Sequence, residues 1–178
     1  MKTSSNSKIA FDESIKDSEK LMLIFESLKD KEDDNQIEVL KRSALVMALT
    51  SFETYVEDRI REYLYDNSKL LEGSTIFKFV QSQLEKDLRF FHNPNPNNVK
   101  KLYEQIIDRD ITESWKWNNF EAARVRKELN GFIKLRGESV HRSADKKDGH
   151  LVKKQDVEKC QVLLKEIVNC MDDCLYKV

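Results

Sequence analysis

From Ile37 to Tyr65 the chain runs without a glycine or a proline, and its apolar residues fall on two sides of a helical period. Leu45, Leu49, Phe52, Val56 and Ile60 form one stripe, and Leu40, Ala44, Met47 and Tyr55 form another. A helix apolar on two sides must be covered on both, so this segment is the central element of the fold. Turn-forming residues are scarce throughout, with 4 Gly and 2 Pro in 178 residues. That leaves too little punctuation for many short strands. It predicts an all-α fold: one helical bundle domain of long antiparallel helices over residues 1–178, with 1–7 as a flexible N-terminus.

The remaining segments supply helices to cover the central one. Residues 8–29 carry Ile9, Phe11, Ile15, Leu21, Met22, Ile24, Phe25 and Leu28 at mostly three-and-four spacing, and the polar run Lys29 to Gln36 ends them. A helix over 74–91 stops before Phe91 to Asn98, where two prolines and four asparagines predict a loop. Val99, Leu102, Tyr103, Ile106 and Ile107 restart helical spacing, while Trp115 and Trp117 lie in a segment whose pattern gives no assignment. Asn119 to Leu135 reads as helix with Gly131 inside it. The last segment is the most regular, with Val157, Cys160, Leu164, Ile167, Met171 and Cys174 stepping by three and four. Apolar surface left over from packing within one chain predicts a second copy, hence a homodimer.

No stretch approaches the roughly 18 consecutive apolar residues of a membrane span, and the N-terminus lacks an apolar signal core. The expectation is a soluble, cytoplasmic protein without a membrane partner. Cys160, Cys170 and Cys174 form neither a C-x-x-C pair nor a cluster with zinc-like spacing, and read as reduced core thiols. No metal and no cofactor are expected. Phosphate-loop, H-E-x-x-H and G-x-S-x-G patterns are absent, so nucleotide hydrolysis, zinc proteolysis and esterase chemistry lack their usual signatures.

Net charge is −1, yet Ala122 to Lys154 holds ten Lys/Arg against four Asp/Glu, a local +6 that leaves −7 for the rest. Concentrated positive charge suits a polyanion, because phosphate contacts supply most nonspecific nucleic-acid affinity. At the centre of this stretch, between two apolar-periodic segments, stands Leu135-Arg136-Gly137-Glu138-Ser139-Val140-His141-Arg142, an R-x4-H spacing. A polar loop, Ser143 to His150, follows it.

With the central segment Ala44 to Asp58, the loop Arg89 to Asn98 leading into Leu102, and the closing amphipathic helix, this arrangement resembles the HEPN superfamily over most of the chain. It is most similar to the branch associated with RiboL-PSP proteins. The resemblance implies a metal-independent endoribonuclease working as a homodimer, often as a toxin or in antiviral defence, with an antitoxin or other regulatory protein as a possible partner. Arg136 and His141 match the motif's two named positions. Family members usually carry Asn, Asp or His directly after the arginine, and this chain has Gly137. The alternative reading is therefore a weakly active or inactive RNA- or protein-binding helical dimer.

The two residue types suit separate tasks. RNA can be cut without metal when its own 2′-hydroxyl attacks the adjacent phosphorus, provided a proton is removed and the added negative charge is steadied. Histidine titrates near neutrality and fits the proton transfer, worth about 10²–10⁴-fold. Arginine stays charged and offers a planar fork to phosphate oxygens. On a regular helix, side chains five apart point roughly 140° from each other. The expectation is that the helix ends or distorts at Gly137, or that motifs from two subunits combine. Supporting roles fall to Glu138, to Arg142 and Lys134 on flanking phosphates, and to Glu53, a carboxylate inside the apolar central segment. His92 is expected to cap or pack beside the Asn-Pro loop and His150 to be solvated.

Overall fold

A computed structural model of the chain describes residues 4–30, 34–141 and 152–176. Those residues are all-α, as six helices and two short 3₁₀ turns. Helix α1 (Asn6–Leu28) begins at Ser5, whose hydroxyl accepts from the Lys8 N–H and satisfies one of the first turn's orphan donors. Glu62 accepts from the Asn6 and Ser7 N–H groups at 2.8 and 3.0 Å. The helix thus starts inside the expected flexible stretch 1–7, with Ser5 and Ser7 buried, while residues 1–3 lie outside the described residues.

Helix α2 (Asp34–Asn67) is the spine. Leu45, Leu49, Phe52, Val56 and Ile60 have no exposure, and Ala44 and Tyr55 on the second stripe are buried as well. Met47 is the exception at 37% exposed, turned to solvent between the two covered faces. Helix α6 (Lys154–Tyr176) and α1 both pack on α2. A buried polar relay ties the three together: the Ser18 hydroxyl donates to the Ala44 carbonyl at 2.7 Å and accepts from Gln161 Nε2 at 2.8 Å. Farther along, Arg59 on α2 pairs with Asp172 on α6 at 3.1 Å, and the Tyr55 hydroxyl donates to the Val168 carbonyl. These polar groups enter the core with their partners, which keeps their desolvation from undoing the apolar packing.

Gly73, at φ +82°, supplies the left-handed residue that turns the chain into α3 (Thr75–Leu88), capped by the Ser74 hydroxyl. Only Leu84 and Leu88 of α3 are buried. The expected loop Phe91 to Asn98 ends early, because α4 (Pro96–Ile107) starts inside it: Asn95 caps the helix and Pro96 occupies its first turn, where a missing N–H costs nothing. His92 is exposed and does no capping. The unassigned tryptophan segment forms a 3₁₀ turn, Ile111–Ser114, that drives Trp115 fully into the core against Phe52, ring centroids 6.4 Å apart. Cys160 is buried, and burial pushes its thiol far up; Cys170 and Cys174 are half-buried at the rim rather than core residues. Among the described residues no helix is long and apolar enough to cross a membrane.

Candidate active site at the end of α5

Helix α5 (Ala122–His141) packs on α2 and α6 through Val125, Leu129 and Ile133. Three residues on, the same stripe reaches Arg136. The core-facing side of the helix therefore ends in a guanidinium instead of a hydrocarbon, at the rim between α5 and α2. Arg136 Nη1 lies 3.7 Å from Glu53 Oε2, with the two side chains 19% and 22% exposed. That separation exceeds a hydrogen bond, so the contact is Coulombic and leaves the donor fork aimed at whatever else enters the rim.

The helix neither ends nor distorts between the motif residues. It runs to His141, beyond the expected end at Leu135, and Gly137 is an ordinary helical residue: a Cβ there would meet nothing within 4 Å. A glycine inside a helix costs only about 1 kcal/mol, less than the packing of α5 on its neighbours supplies, so Gly137 does not break it. The Ser139 hydroxyl donates back to the Arg136 carbonyl at 2.9 Å, a local bond of an intact helix. Positions 136 and 141 are consequently separated by roughly 140° around the axis and about 7.5 Å along it.

The other candidates divide by face. Glu53 meets Arg136, as described. Lys134 and Glu138 pair with each other at 4.0 Å on the side of α5 that faces the groove toward α6, with Lys134 78% exposed. Arg142 and the imidazole of His141 lie outside the described residues, as does His150. Several cations of the basic stretch already have carboxylate partners: Arg124 with Glu128, Arg126 with Glu113, and Lys154 with Glu26. The positive surface is thinner than the raw count of Lys and Arg implies.

Sequence reasoning passed over Glu57, one turn beyond Glu53 on α2. Burial pushes its carboxyl up against the pull of Arg61, and the neighbouring Glu53 charge adds to the rise. The signal was available as a Glu-x-x-x-Glu spacing, which puts two like charges on one helix face.

The family model RiboL-PSP-HEPN matches residues 12–177. The chain belongs to the RiboL-PSP-HEPN family. HEPN domains are all-α, in agreement with the fold, and the wider family is generally associated with ribonuclease activity and often with dimers. No curated protein and no solved structure matches the chain.

Proposed function

We propose that this RiboL-PSP-HEPN chain is a metal-independent endoribonuclease acting as a homodimer. One observation carries the reading: a half-buried arginine continues an apolar stripe to the rim of the bundle, one helical turn and a half before the motif histidine, and its weak contact with Glu53 leaves the fork free for phosphate. Arg136 clamps the scissile phosphate, and His141 moves the proton from the attacking 2′-hydroxyl or to the leaving 5′-oxygen. Because one continuous helix sets the two positions apart, a pair of motifs facing across a twofold axis assembles the site, with Arg136 of one copy holding the phosphate at which His141 of the other transfers the proton. A cytoplasmic toxin or antiviral effector silenced by a regulatory protein fits such an enzyme.

The test is incubation of wild type and His141→Ala with mixed cellular RNA in chelator, followed by end-group analysis. The expected result is cleavage in EDTA leaving 2′,3′-cyclic phosphate, none on DNA, and a loss of about 10²–10⁴-fold in the variant. Cleavage that requires added Mg²⁺, or a His141→Ala protein as active as its parent, refutes the mechanism.

The second reading, a noncatalytic RNA- or protein-binding dimer, is favoured by two features of the same helix. Gly137 provides no polar side chain beside Arg136, and α5 does not bend to bring the motif together in one copy. Under it, Arg136→Ala weakens RNA binding while no cleavage appears at any protein concentration.

A further inference from the structure

The groove on the opposite side of α5 has no role in the reading above. It lies between α5 and α6, encloses about 950 Å³, and runs from Arg124 to Glu138, one turn short of His141. The fourteen helical steps from Arg124 to Glu138 span about 21 Å. At one end the Trp117 and Phe120 rings stack at 5.3 Å and 11°, and the Arg124 guanidinium lies 4.1 Å over Phe120 with half of its side chain exposed. Phe132 and Leu135 continue the apolar floor, and Gly131 keeps the middle open, since a Cβ there meets nothing within 4 Å.

The charges along the walls are not equivalent. Each lining carboxylate is already engaged: Glu128 by Arg124, Glu138 by Lys134, Glu158 by Lys154, and Asp156 by the Lys153 N–H. Lys153 and Lys159 have no carboxylate partner among the described residues. The lining as a whole is balanced, Arg124, Lys134, Lys153 and Lys159 against Glu128, Glu138, Asp156 and Glu158, and the cations without a carboxylate partner, Lys153 and Lys159, are the ones open to a phosphate. An open channel with flat π surfaces at one end and unpaired cations along a wall suits single-stranded nucleic acid, whose bases stack on aromatic rings and guanidinium planes while its phosphates follow the cations.

We infer that the α5–α6 groove is a base-stacking subsite that holds the single strand flanking the cut, with Trp117, Phe120 and Arg124 as the stacking platform and Lys153 and Lys159 on the backbone. This rests on the RNA reading of the motif but uses none of its catalytic residues. Stacking tolerates any base, so the groove confers single-strand preference with little sequence preference.

The probe is single-stranded DNA of about eight nucleotides, within the usual range of single-strand sites, which has no attacking 2′-hydroxyl and so reads the groove apart from catalysis. Binding is followed by tryptophan emission, in which Trp117 is the responsive ring because Trp115 is fully buried. Expected are quenching on binding and affinity at least tenfold weaker for an abasic strand of equal length. Gly131→Leu, which fills the channel while favouring helix, and the exposed Lys159→Glu should each weaken binding by about tenfold. Equal affinity of abasic and normal strands, indifference to both substitutions, or capture of an amphipathic peptide but of no oligonucleotide overturns the inference. Wild type that binds the strand yet cuts no RNA refutes the nuclease and leaves the groove standing; wild type that cuts RNA with no groove effect does the reverse.

Discussion

Arg59 and Arg136 each reach from one helix to a carboxylate on another, and the two pairs are built in opposite ways. Arg59 meets Asp172 at 3.1 Å with the side chains 5% and 7% exposed, and Asp172 also accepts the Ser5 N–H at 3.3 Å. Arg136 meets Glu53 at 3.7 Å, with the side chains 19% and 22% exposed and no hydrogen bond between them. A buried pair that loses one partner leaves an uncompensated charge, so Arg59 belongs to the fold. A long contact at the rim, without a hydrogen bond, contributes little to stability and yields easily to a phosphate. The difference teaches where to look for function in a bundle rich in ion pairs: at the pair that is geometrically unfinished.

The sharpest way to break that contrast is to remove each arginine in turn. Arg59→Ala strands the Asp172 charge in the core and should cost about 3–5 kcal/mol in urea denaturation. A loss below about 1 kcal/mol would mean the pair is not structural. Arg136→Lys keeps a charge at the rim but removes the planar fork. RNA cleavage should fall by about 10²–10³-fold, as when one donor to a developing oxyanion is deleted, while stability stays within about 1 kcal/mol. Wild-type cleavage by the lysine variant would show that a point charge suffices and that the fork is irrelevant.

How far this contrast was legible in the sequence differs between its halves. The bundle itself was readable, because long uninterrupted periodicity in α2 and α6 leaves few ways to cover two-sided apolar stripes. Element ends were less so: Pro96 reads as a breaker but starts a helix, and Gly137 reads as a breaker but lies inside one, because neither residue type specifies which of its permitted contexts the packing selects. Glu53 stood out as a lone carboxylate in an apolar segment, yet its meeting with Arg136 joins positions on α2 and α5 that no local pattern relates. The burial of Arg59 was invisible for the same reason, since its partner is 113 residues away.

Glu53 provides a smaller effect and a finer test of the unfinished pair. Removing its charge by Glu53→Gln relieves the competition with phosphate for the Arg136 fork. RNA binding at low salt should tighten by about two- to fivefold, the equivalent of an exposed ion pair, with stability changed by less than about 1 kcal/mol. High salt should shrink the difference, because screening weakens both the rim contact and the attraction of phosphate to the guanidinium. Binding that weakens instead would make Glu53 a brace that aims the guanidinium rather than a competitor for it.

The smallest expected effect lies on the structural side, at the end of the Arg59 network where Glu62 holds the start of α1. Burial works to push this carboxyl up, but hydrogen bonds from Ser7 and Asn6, helped by the Arg59 charge, outweigh it and hold Glu62 below the usual range. A carboxyl lowered in the folded state contributes stability that is complete above its unfolded value of about 4.3 and is lost as pH falls through the folded value. The first turn of α1 should therefore loosen below about pH 4. Amide exchange at Asn6 and Ser7, corrected for the intrinsic pH dependence of exchange, should show protection fading over that range in wild type. In Glu62→Gln, with no charge to titrate, protection should be lower and flat with pH. A variant that keeps the wild-type pH profile would move the titration to another group and leave the cap without its acid dependence.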